Sequence, residues 1–197
     1  MKVVKNYLWN VSYQIFVIIV PMITMPYISR VLGPHGVGVN SFTNSIVQYF
    51  VLFGGLGLGL YGNREIAYVR DNKKQLSKEF WELLILRTVT MTSSLVIYII
   101  MAYNWREYRG YLFIQSIQII AAIIDISWFF MGIENFRITV LRNLLVKSIS
   151  VICIFLFVKS RNDTGIYIAI LALSTLFGNF LNFQVKCNDD NEFLIVV

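Results

Sequence analysis

The sequence predicts an all-α membrane protein of about six transmembrane helices, and three observations predict it. Of its 197 residues 57% are hydrophobic, and the mean hydropathy is +0.65. Only 14% are charged, against ~25% in ordinary soluble domains. Those charges avoid the long apolar stretches, whereas a soluble helical domain spreads charge over every exposed helix face.

A span needs ~20 predominantly apolar residues. The first stretch covers residues 7–32. Lys2 and Lys5 ahead of it imitate a signal peptide, but Pro21 and Pro26 inside it, and the lack of a small-x-small cleavage site, make it the first span. Gly33-Pro34-His35-Gly36-Val37-Gly38 reads as the turn that follows, with His35 exposed on it. No strand precedes it and no Lys-Ser/Thr follows, so it is not a nucleotide loop. Residues 37–61 make the second span. It ends in Gly54-Gly55-Leu56-Gly57-Leu58-Gly59, where Gly55 and Gly59 form a G-x-x-x-G that suits close helix packing. Residues 63–79 form the one longer polar loop. Spans three to six follow at residues 80–103, 110–133, a short 143–158, and 165–183. Their short connections predict antiparallel neighbours.

Lysine and arginine orient the bundle. With six spans, one face holds Lys2, Lys5, Arg64, Arg70, Lys73, Lys74, Lys78, Arg137, Arg142, Lys147 and Lys186, and the other Arg30, Arg106, Arg109, Lys159 and Arg161. The positive-inside rule places both termini in the cytoplasm. Aromatic belts agree: Trp9 and Trp81 lie at cytoplasmic ends, and Tyr103, Trp105, Tyr108 and Tyr111 cluster at an outer turn. The net charge of +6 therefore reads as a basic cytoplasmic face, not a nucleic-acid surface, for no basic, aromatic-interleaved soluble stretch carries one. Cys153 lies in an apolar run and Cys187 in the polar tail, too far apart in depth for a disulfide. With one histidine and no ligand spacing, neither metal nor cofactor is expected.

Polar residues recur at helical spacing inside the spans. The stripes are Asn6, Asn10 and Gln14; Asn40, Asn44 and Gln48, with Ser41 and Ser45 beside them; Gln115, Gln118 and Asp125; and Thr175, Asn179 and Asn182. Lipid cannot satisfy an amide, so these stripes face other helices or a wet cavity. Interhelical bonding, worth ~0.6 kcal/mol each, is the plain reading for any one of them. Stripes on four helices favour a shared hydrophilic cavity. Arg87 and Asp125 lie at matching depths of roughly 10–12 Å on neighbouring antiparallel spans, so they are expected to pair. If the pair is simply structural, exchanging its two members should be tolerated better than either neutralisation. The prolines at 21 and 26 each remove a backbone bond. They are a static bend or a hinge.

Several segments resemble bacterial polysaccharide flippases. They are Tyr27-Ile28-Ser29-Arg30-Val31-Leu32-Gly33-Pro34 with Gly36-Val37-Gly38, residues 42–49 and 53–62, and Asn63-Arg64-Glu65-Ile66-Ala67. The most specific is Asp125-Ile126-Ser127-Trp128-Phe129-Phe130-Met131-Gly132-Ile133-Glu134-Asn135-Phe136. The resemblance covers residues 1–183 and extends to the superfamily of multidrug and peptidoglycan-precursor exporters. His35 departs from it, standing where an acidic or polar residue is expected.

The resemblance implies one six-helix lobe of a two-lobed transporter in the bacterial cytoplasmic membrane, working by alternating access. It also implies a polyprenyl-diphosphate-linked oligosaccharide as substrate, for capsule, exopolysaccharide or O-antigen assembly. Membrane lipids and other polysaccharide assembly proteins are the expected partners, and self-association is left open. In that light the candidate cavity residues are Asn10, Gln14, Arg30, Asn44, Gln48, Arg87, Gln118 and Asp125, with Pro21 and Pro26 as hinge. Arginine suits the diphosphate because its fork of donors matches phosphate oxygens. Residues 184–197 break the pattern and read as an aberrant polar tail, a truncation or frameshift product. The alternative is then a non-functional fragment. A membrane-embedded transferase on the same carrier would want clustered carboxylates, and Asp125 is the one carboxylate well inside the spans.

Overall fold

A computed structural model describes residues 2–134 and 136–184; the side chains of residues 2–10, 12, 13, 136–139, 141 and 182–184 lie outside that description. Among the described residues every regular element is helical. The order is α1 (Lys2–Val31), α2 (Gly33–Gly55), α3 (Leu58–Val69), α4 (Lys73–Asn104), α5 (Arg109–Ile123), α6 (Ser127–Gly132), α7 (Phe136–Phe157), a 3-10 turn (Arg161–Asp163) and α8 (Thr164–Gln184). Five described runs are long and apolar enough to cross a membrane: Gln14–Val31, Gly33–Val69, Lys73–Asn104, Arg109–Gly132 and Arg161–Leu181. The chain is an all-α, multi-pass membrane protein. The crossing predicted at residues 143–158 overlaps α7, whose first turns include residues without described side chains.

Four boundaries differ from the sequence expectation. The turn after α1 is confined to Leu32 and Gly33, where Gly33 takes φ +70°. Pro34 to Gly38 already belong to α2, since proline's fixed φ suits a first helical turn. The second span breaks at Leu56 and Gly57, which take φ 46° and 70°. Its 23 residues reach about 34 Å, enough by themselves for a ~30 Å hydrocarbon core. The expected polar loop at 63–79 is mostly helix. Leu58, Gly62 and Ile66 bury one face of α3, and α4 starts at Lys73, capped by the Asn72 carboxamide that accepts from Gln75 N at 3.4 Å. The fourth span is interrupted between Ile123 and Ser127.

α5 sits centrally, packed on α8, α4 and α2, while α1 leans chiefly on α7 rather than on its sequence neighbour α2. One core cluster joins α2, α4 and α5 around Val47, Met91, Tyr98 and Leu112. There Tyr98 Oη donates to Leu112 O at 2.9 Å, and Ser94 Oγ to Phe50 O at 2.7 Å. A second joins α1, α7 and α8 around Ile28, Ile154 and Tyr167. It is pinned by Tyr27 Oη donating to Val158 O at 2.7 Å.

The third cluster joins α3, the start of α4 and α6 through Ile66, Phe80, Trp128 and Phe129. Here two glycines permit mutual approach. A Cβ on Gly62 would lie 2.7 Å from Trp128 Cε3, and one on Gly132 would lie 2.6 Å from Ile66 Cγ2. The predicted Gly55/Gly59 packing pair does not form: nothing lies within 4 Å of a Cβ on Gly59. The helix break between them takes the two glycines off a common face.

Candidate functional site

Two polar centres emerge within the spans. The first is a staple at the α5–α6 break. A helix end leaves its last carbonyls without intrahelical partners. Arg87, 7% exposed, donates from Nε to Ala122 O at 3.0 Å and from Nη2 to Asp125 Oδ2 at 3.3 Å. The other Asp125 oxygen accepts from Ser127 N at 3.0 Å and Ser127 Oγ at 2.5 Å, so it starts α6. From α8, Asn179 Nδ2 donates to Ala121 O at 2.8 Å. The pairing expected from the depths of Arg87 and Asp125 is therefore formed, and it also closes the helix break.

The second centre is an open cavity of about 460 Å³ lined by α1, α2, α5, α7 and α8. Asn44 and Gln118 line it, as does Pro21. Gln118 is the hub of an amide ladder. It donates to Asn44 Oδ1 at 3.1 Å and to Gln115 Oε1, and accepts from Gln48 Nε2 at 2.8 Å. Gln115 Nε2 reaches Thr43 Oγ1 at 3.4 Å. The stripes of the second and fourth predicted spans thus meet each other, and part of their polarity goes into holding α2 to α5.

The remaining candidates are dispersed. Arg87 and Asp125 are engaged in the staple, and neither lines the cavity. Arg30 is exposed in the last turn of α1, and Gln14 and Gln48 are exposed. None of the three lines the cavity. The side chain of Asn10 lies outside the described residues. Pro26 is exposed on α1.

Sequence reasoning missed Asn143 and Lys147 as lining residues; both are on the α7 wall. Their spacing of four carries the signal, but the charge distribution along the sequence assigns Lys147 to the cytoplasmic face. On α8, Ser174, Thr175 and Asn179 add further polar groups to the lining.

A model of the polysaccharide biosynthesis protein family matches residues 3–185. The chain belongs to this family. Among its relatives, a candidate O-antigen transporter of Escherichia coli (strain K12) is 26% identical over 151 residues, covering 75% of this chain and 36% of that relative. One from Shigella dysenteriae is 28% identical over 145 residues, covering 73% and 36%. A third, from Shigella flexneri, is 32% identical over 78 residues, covering 40% and 18%. The first two matches span about a third of the relatives' own length, and those relatives are named as transporters, not as enzymes. No solved structure matches the chain.

Within the family match, the segment from Asp125 to Gly132 is accounted for by packing. Asp125 accepts from Ser127 N ahead of α6, Trp128, Phe129 and Phe130 fill the core, and Gly132 admits Ile66. The family-like pattern here builds the scaffold rather than the cavity.

Proposed function

We propose that the chain is a lobe of a flippase that moves polyprenyl-diphosphate-linked oligosaccharide across the bacterial cytoplasmic membrane. The family match over residues 3–185 carries this reading. The cavity supports it: a lipid tail stays in the bilayer, but sugars and diphosphate need a polar path through it. Asn44 and Gln118 serve sugar hydroxyls with what the amide ladder leaves them: the Asn44 NH2 donates, and each amide oxygen keeps a second lone pair. Pro21 and Pro26 form the hinge. The end of α1 beyond them is anchored by Tyr27 on Val158, while the part before Pro21 swings against the cavity.

The test is co-purification. The chain in lipid nanodiscs is expected to retain polyprenyl-diphosphate-linked oligosaccharide over free polyprenol by native mass spectrometry. Equal retention of the two would defeat the substrate reading.

The proposed orientation has both termini cytoplasmic and residues 104–109 outside, from the distribution of lysine and arginine. In a background with Cys153 and Cys187 replaced by serine, Asn104→Cys is expected to react with an impermeant maleimide in intact cells. Lys74→Cys is expected to react only after permeabilisation. The reverse pattern would invert the topology.

A further inference from the structure

We infer that the groove between α1 and α7, on the side turned away from the cavity, holds an anionic glycerophospholipid with its headgroup on Arg30, Lys159 and Arg161. The inference does not depend on the substrate reading. Tyr27, near the end of α1, packs its ring 4.5 Å from that of Phe155 and donates to Val158 O at 2.7 Å, at the end of α7. The two helices therefore run in the same direction and finish together. Side chains turn by about 100° per residue round a helix. Counted from the Tyr27–Phe155 contact, Ile19, Ile23, Pro26 and Arg30 share one stripe of α1. Leu145, Ile149, Ile152 and Leu156 share one stripe of α7, at the same spacing. Both stripes are exposed, and both fall on the same side of the helix pair. The cavity-lining Pro21, Thr24, Ser150 and Ile154 fall on the other.

Each stripe ends in a cation. Arg30 is one turn beyond Tyr27, and Lys159 follows Val158 directly. Arg161 lies beside the same turn, its Nε 4.0 Å from where a Cβ on Gly33 would stand. All three are exposed, and none enters an ion pair among the described residues. The carboxylate nearest in sequence, Asp163, accepts from Lys159 N at 2.9 Å and Ser160 N at 2.7 Å, so it shapes the turn. A ligand seated here is apolar along its length and anionic at one end. Arginine's fork of donors fits phosphate oxygens, and basic pockets between transmembrane helices take anionic headgroups. The α7 stripe rises about 16 Å, roughly half of a ~30 Å hydrocarbon core. That is the depth of one leaflet, whereas a further transmembrane helix spans the whole core. A second copy of the chain on this groove would bring like charges together.

Native mass spectrometry of the chain released from nanodiscs of mixed phosphatidylglycerol and phosphatidylcholine measures which lipid stays bound. Phosphatidylglycerol is expected to be retained over phosphatidylcholine. Arg30→Gln with Lys159→Gln weakens its retention by about fivefold for each cation removed. Arg30→Lys with Lys159→Arg keeps it, as does Arg106→Gln in the α4–α5 turn. The fluorescence that Ile152→Trp adds over wild type is quenched more by chain-brominated phosphatidylglycerol than by the brominated phosphatidylcholine. Equal retention of the two lipids by the wild type overturns the inference, and so does retention unchanged in the glutamine pair. Displacement of phosphatidylglycerol by an equal concentration of polyprenyl diphosphate overturns it in favour of the transported lipid. Displacement by inorganic phosphate alone overturns it by leaving the apolar stripes without a role. A disulfide between two chains through Ile152→Cys, with Cys153 and Cys187 replaced by serine, overturns it in favour of a second copy.

Discussion

Arg87→Met is expected to destabilise the bundle by about 3–5 kcal/mol, the cost of removing one partner from a buried ion pair. The loss is larger than that of a single surface bond because three groups depend on the guanidinium. Ala122 O loses its donor, Asp125 Oδ2 loses its countercharge, and the α5–α6 break loses its tie to α4. Asp125→Asn is also costly: its amide oxygen can still accept from Ser127 N, but the buried Arg87 guanidinium loses its countercharge. Exchanging the two residues fails here. An aspartate at 87 would face the Ala122 carbonyl, and an arginine at 125 has no acceptor for Ser127 N. Thermal unfolding in detergent, with the fraction of chain inserted in membranes, checks these losses. An exchange variant as stable as wild type would reduce the staple to a simple ion pair, as the sequence alone suggests.

Gly132→Ala is expected to cost about 1–3 kcal/mol, the range for overpacking a filled core. The added Cβ would meet Ile66 Cγ2 at 2.6 Å, Ile66 Cβ at 2.7 Å and Asn63 O at 3.0 Å. One of these is backbone, and Ile66 is 0% exposed, so neither neighbour has room to yield. Gly59→Ala is the matched control. It meets nothing within 4 Å, and in the first turn of α3 it is expected to be close to neutral. The same unfolding assay reads both. A Gly59→Ala loss equal to that of Gly132→Ala would restore the Gly55/Gly59 pair as the packing site.

The membrane class and the broad course of the chain are legible in the sequence because hydropathy reports which residues can face lipid. The Arg87–Asp125 pair is legible because depth along a helix follows from counting residues. The breaks are not. Leu56-Gly57 and Ile124-Asp125-Ile126 sit in apolar runs that continue on both sides, and hydropathy carries no information on φ. The α3 helix is hidden by its charges. Arg64 and Glu65 suggest a loop, although Leu58, Gly62 and Ile66 recur every fourth residue and bury one face. Lys147 lines the cavity from α7, which a count of basic residues on each face does not report. Arg30 and Arg87 draw attention as arginines, but only tertiary packing tells which cation borders the cavity.

The staple also constrains how the protein is made. α4 leaves the ribosome before α5, so Arg87 reaches the translocon without its acceptors. Inserted alone, α4 carries a guanidinium into hydrocarbon at ~2.5–3.5 kcal/mol. Asp125 and the Ala122 carbonyl lie 38 and 35 residues further along the chain, at the far end of α5. The energetically favoured entry is therefore as a helical hairpin, with α4 held at the lateral gate until α5 has been synthesised. The four-residue turn between them, residues 105–108, is short enough for that hairpin to form inside the channel and move into lipid already paired.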